Sequence, residues 1–183
     1  MNVSPERISR FLSLILRHDP GQIGLSLDAQ GWIDVATLLD ALGQHGMPID
    51  RATLERIVAT NPKQRFALSA DGQRIRANQG HSIAVDLALP PIPPPALLYH
   101  GTAARFVASI RREGLRKRGR QHVHLSADEA TAITVGQRHG APVVLVVRAA
   151  AMAADGFLFF RSANGVWLTD HVPPQYLVFP EPD

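Results

Sequence analysis

Residues 16–20 read LRHDP, and the amphipathic run SPERISRFLSLIL leads into them. Arg17 and His18 therefore stand side by side just before a proline–glycine break. Two cations at a helix end can be simple caps, worth roughly 0.3–1 kcal/mol against the helix dipole. They can also be half of a site that handles phosphate, because the planar arginine fork matches phosphate oxygens. Arg65 in KQRFAL opens a strand, where a charged side chain normally faces solvent. In RQHVHLS, residues 120–126, alternation from residue 120 would put Arg120, His122 and His124 on one face. Two histidines could ligate a metal, but no carboxylate or third histidine stands nearby at metal spacing, so no metal is expected. An anion site fits Arg120 with His124 better.

Three further stretches are polar where chains usually meet ligands. YHGT, residues 99–102, ends an apolar run. His100 and Thr102 can hydrogen-bond a ligand there, and Gly101 would let it approach the backbone. IRANQGHS, residues 75–82, ends on Gln79, Gly80, His81 and Ser82, which read more readily as a hinge than as a ligand contact. Ser162 and Asn164 in RSANGVWLT precede a strand, and a loop held by their side chains is the plainer reading.

These residues need elements to hold them. The chain has 183 residues, 45% hydrophobic and 19% charged, enough for one domain or two small ones. It has no cysteine, which excludes disulfides and thiolate zinc sites. No apolar stretch reaches the roughly 18 residues needed to span a bilayer. The start, MNVSPERISR, lacks a signal-peptide pattern, so a cytoplasmic location is expected. Net charge is only +3, yet seven basic residues and one acid, Glu113, lie between Arg105 and Arg120. That cluster suits a polyanion, or is a solvated surface.

Five prolines between Pro90 and Pro95 predict an extended spacer over residues 89–96, separating domains at 1–88 and 97–183. Before it, Ser4 with Pro5, Asp34 and Asp50 are expected to start three helices. RFALSADGQRIRAN then reads as two short strands around Asp71 and Gly72. Three helices followed by a hairpin resemble a winged helix. After the spacer, strands and helices mix in an α+β pattern with a mostly antiparallel sheet. Ser126 with Glu129 reads there as a capping box.

Six stretches, in order, resemble the NAD-dependent RNA 2'-phosphotransferases. They are ISRFLSLILRHDPGQIGLSLDAQGWIDVATLL, KQRFAL, IRANQGHS, LYHGT, GRQHVHLS and DGFLFFRSANGVWLTDHVPPQYL, and they run from residue 8 to residue 177. The resemblance implies a winged-helix-like N-terminal lobe and an ADP-ribosyltransferase-type C-terminal lobe. It implies removal of an internal 2'-phosphate from a tRNA-like RNA, with NAD as co-substrate. An RNA 2'-phospho-ADP-ribose intermediate would form with loss of nicotinamide. It would resolve to 2'-OH RNA and ADP-ribose 1'',2''-cyclic phosphate. The family's catalytic tetrad carries onto Arg17, His18, Arg65 and Arg120. Its NAD contacts carry onto His100, Gly101, Thr102, His124, Ser126, Ser162 and Asn164. Both lobes supply the tetrad, so its site is expected in the cleft between them. The usual transferase glutamate has no counterpart; Val172 and Gln175 stand near the last strand, and Arg148 stands where an acid is expected. A monomer is expected, since no coiled coil or dimer helix is visible. A transferase that ADP-ribosylates terminal phosphates of RNA or DNA is the alternative, and a non-enzymatic NAD sensor a third.

Overall fold

Ser4 starts the first helix, α1 (Pro5–Arg17), by accepting from the Arg7 amide at 3.3 Å, with Pro5 in the first turn. The structure is a computed structural model that describes residues 4–181. Residues 1–3 and 182–183, the outer ends of the two expected domains, lie outside the described residues. Two compact units meet between Ala88 and Leu89, each with its own apolar cluster. Every pairing between the named strands is antiparallel, so the fold is mixed α and β.

In the first unit α1 buries Ile8, Leu12, Ile15 and Leu16, the spacing of one helix face. That face packs with Leu38 and Leu42 of α2 (Val35–Gln44) and Leu54 and Ile57 of α3 (Arg51–Thr60) in one core. Asp50 caps α3, accepting from the Thr53 amide at 2.8 Å. Asp34 occupies the cap position of α2 without a side-chain cap bond. It belongs instead to β1 (Ile33–Asp34), which pairs with β3 (Arg74–Ala77), and β3 pairs in turn with β2 (Phe66–Leu68). Asp71 ties the turn between β2 and β3 by accepting from Ser69 Oγ at 2.6 Å and from the Gln73 amide at 3.0 Å.

In the second unit the apolar strand β7 (Pro142–Val147) lies between β4 (Leu98–Ala103) and β11 (Leu177–Val178). A second sheet orders β6 (Val123–Leu125), β9 (Trp167–Thr169) and β8 (Phe160–Arg161), and β5 (Leu115–Arg116) pairs with β10 (His171–Val172). α4 (Ala104–Glu113) stops at Gly114, whose φ is +74°.

Two expectations need correction. Ser126 does not cap α5 (Glu129–Gly136): Asp128 does, accepting from the Thr131 amide at 2.8 Å and Thr131 Oγ1 at 2.9 Å. Ser126 is taken by a bridge to Tyr99, with backbone bonds of 2.8 and 2.9 Å. Arg120 and His122 do not alternate along a strand, because the chain turns between Lys117 and Arg120 (Arg120 N to Lys117 O, 3.0 Å) and β6 starts only at Val123. The alanines after β7 form α6 (Ala149–Ala154), as their helix propensity favours. The proline run is fastened to the second unit at one residue. Ile92 alone between Pro90 and Pro95 keeps an amide hydrogen. It donates that hydrogen to Phe159 O at 2.9 Å and packs on the second core.

Candidate functional site

Arg17 is the last residue of α1, and His18 caps it with its amide still bonded to Leu14 O at 2.9 Å. The loop Asn78–Ser82, which follows β3, fastens this end. Ser82 donates its amide to Arg17 O at 2.9 Å, and its hydroxyl lies 2.8 Å from His18 Nδ1. Gly80, at φ +88°, runs so close that an added Cβ would sit 3.7 Å from the Arg17 guanidinium. The first residue of the same loop is tied to Arg65: Asn78 donates its amide to Arg65 O at 2.9 Å and its side-chain amide to Gln64 O at 2.5 Å. Asn61, at the end of α3, accepts from Arg65 Nη1 at 3.4 Å and donates to Ser9 Oγ of α1 at 2.9 Å. Arg17, His18 and Arg65 are thus tied to one loop and two helix ends. The tethers Asn61, Asn78 and Ser82 were invisible as such in the sequence, although NQGHS had a polar signal.

His81 is 1% exposed within this loop, next to a cationic neighbourhood. Desolvation first, then the charges of Arg17, Arg76 and His18, push its pKa down to about 4. The folded unit therefore holds a neutral His81 where an unfolded chain, titrating near 6.5, takes up a proton. Stability is full at pH 7, falls as pH drops through 6.5, and levels off below about 4. The full loss is about 3 kcal/mol and the loss at pH 5 roughly 2 kcal/mol. Urea unfolding followed by Trp32 fluorescence checks this. A first unit equally stable at pH 7 and pH 5 would contradict it, and His81→Gln is expected to flatten the profile.

In the second unit Arg120 Nη1 lies 3.0 Å from His124 Nδ1. Arginine only donates, so His124 Nδ1 is the acceptor. The His124 carbonyl accepts from His100 Nδ1 at 3.0 Å, which leaves His100 Nε2 as an acceptor. Desolvation, helped by Arg120 and His139, outweighs that bond and holds the His100 pKa below its ordinary value. Arg120, His124 and His100 thus form a connected row. Gly101 has a structural reason to lack a side chain, since a Cβ would lie 1.7 Å from Ala132 O of α5. Thr102 is buried beside it on β4. Ser162 is also buried, and its hydroxyl serves a turn, donating to Asn164 Oδ1 at 2.6 Å and accepting from the Val166 amide at 3.1 Å. Arg148 is exposed. It donates its amide to Tyr176 O at 2.9 Å and its side chain to Gln175 O, so it holds the turn before β11. Val172 is fully buried.

The basic cluster is only partly neutralised. Glu113 lies 3.9 Å from Arg116 and Asp170 lies 2.6 Å from Lys117, while Arg111 stacks 4.1 Å from the Phe179 ring centre. Arg112 and Arg118 take part in none of these pairs and are exposed. Among the described residues no three histidines, aspartates or glutamates gather as a metal site. Among them also, no helix is long and apolar enough to cross a membrane.

A family model described as "RNA 2'-phosphotransferase, Tpt1 / KptA family" matches residues 4–171. A relative from Agrobacterium fabrum, named "Probable RNA 2'-phosphotransferase", is 60% identical over 169 residues, 92% of this chain and 91% of its own. One of the same name from Acaryochloris marina is 54% identical over 97% of this chain and 98% of its own. Another, from Streptomyces coelicolor, is 56% identical over 96% of each. With matches of this depth along nearly its whole length, the chain belongs to the RNA 2'-phosphotransferase family.

Proposed function

We propose that this protein removes an internal 2'-phosphate from RNA by transferring it to NAD, through an RNA 2'-phospho-ADP-ribose intermediate. The products are 2'-OH RNA, nicotinamide and ADP-ribose 1'',2''-cyclic phosphate. The first unit serves as a winged-helix-like lobe for the RNA phosphate, and the second as an ADP-ribosyltransferase-type lobe for NAD. One observation carries the reading. Arg17 and His18, adjacent at the end of α1, and Arg65, far from them in sequence, are fastened to the single loop Asn78–Ser82 through the Arg17 and Arg65 carbonyls and the His18 ring. Such a device gathers the backbone of two arginines and the ring of a histidine at one loop, and gathered cationic residues are what recognition of a dianionic phosphate requires.

The residues of the second unit fit NAD. His100 keeps Nδ1–H on the His124 carbonyl and stays neutral, so Nε2 is an acceptor for a ribose hydroxyl. NAD supplies an anomeric carbon with a good leaving group. Arg17, Arg65 and Arg120 bind and orient the phosphate and offset charge as it develops. His18 moves a proton in the second step. No carboxylate base is needed, because the attacking phosphate is already an anion.

Incubation with NAD and a short RNA bearing one internal 2'-phosphate tests the reading. Loss of the phosphate with formation of the cyclic phosphate is expected. A product that keeps ADP-ribose on a terminal phosphate would move the assignment to the alternative transferase.

The exposed Arg112 and Arg118 are suited to RNA backbone phosphates. Joint reversal to glutamate is expected to raise KM about tenfold for a long 2'-phosphorylated RNA at low salt, and to flatten its salt dependence. A tetranucleotide substrate should be far less affected. Equal effects on both substrates would argue against backbone docking.

A further inference from the structure

His18 is the C-cap of α1, and its backbone leaves the helix there with φ −129° and ψ −48°. The helix lattice therefore does not by itself fix the direction of the imidazole. Ser82 does so, from 64 residues away in the chain, with its amide on Arg17 O (2.9 Å) and its hydroxyl on His18 Nδ1 (2.8 Å).

We propose that Ser82 is a positioning residue: its hydroxyl oxygen accepts from His18 Nδ1–H, fixing that tautomer and leaving Nε2 as the atom that moves protons. The reason lies in the proton inventory of the reaction proposed above, on which the catalytic part rests. Nε2 accepts the proton of the attacking ribose hydroxyl while that oxygen's electron pair forms the new bond to phosphorus. The bond from phosphorus to the RNA 2'-oxygen breaks, and Nε2 returns the proton to that oxygen. Nδ1 is protonated in both the neutral and the cationic ring. An accepting hydroxyl serves both states without rotating, whereas a donating one would have to break its bond each time the ring is charged. The second tether, amide to Arg17 carbonyl, keeps Ser82 in register with the helix end, so its hydroxyl is held where it meets the His18 ring. A hydrogen bond between one ring nitrogen and a neighbouring group fixes the imidazole tautomer in the same way at metal sites.

Ring-nitrogen NMR of the ligand-free full chain reads the tautomer without any turnover. Free histidine prefers Nε2–H, so the wild-type ring is expected to show the opposite, Nδ1–H form. Ser82→Ala should revert it, and Ser82→Thr, which keeps the hydroxyl, should not. In turnover, Ser82→Ala is expected to lower kcat about 10- to 100-fold with KM for NAD and RNA little changed, and Ser82→Thr to recover most of it. A wild-type ring in the Nε2–H form overturns the proposal, as does an unchanged tautomer in Ser82→Ala. A wild type that shows the Nδ1–H form but removes no 2'-phosphate would support the positioning and retire the reaction instead.

Discussion

Gly101→Ala is expected to lower the melting temperature of the second unit by about 15 °C or more. The added Cβ would lie 1.7 Å from Ala132 O, 2.7 Å from Ala132 C and 2.8 Å from Gly136 N, all backbone of α5. No rotamer change relieves a clash with backbone, so α5 and β4 must separate. The junction has no slack to take this up, since a Cβ at Gly136 would in turn meet Thr102 O at 2.9 Å. Overpacking a core costs about 1–3 kcal/mol when side chains can adjust, and more when they cannot. Gly119→Ala is the control: a Cβ there meets nothing within 4 Å, and stability should not change. Thermal unfolding followed through Trp167, which lies in this unit, separates the outcomes. The experiment also separates two roles for Gly101. If the glycine is needed only for a ligand to approach, alanine should raise KM for NAD and leave the melting temperature alone.

That glycine shows how far the sequence could be read. YHGT was legible as a strand end where a ligand could approach the Gly101 backbone, but what approaches Gly101 closely is α5, a partner some 30 residues away in the chain. Local signals transferred well where chemistry acts over three or four residues. Ser4 and Asp50 cap as their types require, and Asp71 ties its turn. They failed where tertiary backbone pairing fixes the path of the chain. Ser126 and Asp128 are both cap types with a suitable residue three positions on, and the bridge from Ser126 to Tyr99 decides for Asp128. Strand alternation predicted the company of Arg120 and His124 by the wrong route, since a turn rather than a strand brings them to 3.0 Å. The pairing of Ser82 with His18 spans 64 residues and has no periodic signature at all. Arg148 looked anomalous only against a resemblance; its bonds to Gln175 and Tyr176 are ordinary structural work.

Arg120→Ala is expected to reduce kcat for 2'-phosphate removal about a thousandfold while leaving the fold intact. The side chain is exposed and sits in a turn held by its backbone amide on Lys117 O at 3.0 Å, so truncation removes no core contact. Substitutions of that kind usually change stability by less than about 0.5 kcal/mol. His124 loses one donor, but its carbonyl still accepts from His100, so the bond between the two histidines should persist and, under the proposed function, KM for NAD should change little. Arg120→Lys sharpens the test. Lysine restores the charge but offers a point donor, where under the proposed function a planar fork would hold two phosphate oxygens besides His124. It should recover only roughly tenfold of the loss. Single-turnover assays that follow nicotinamide release and phosphate removal separately would show which step suffers. If Arg120 clamps the 2'-phosphate, its loss should slow both steps of the proposed reaction, in which the same phosphate is nucleophile in the first and the transferred group in the second. A variant that releases nicotinamide normally and stalls afterwards would confine Arg120 to stabilising the phosphoryl transfer. Full activity in Arg120→Ala would remove it from the chemistry, and full rescue by lysine would show that charge without the fork is enough.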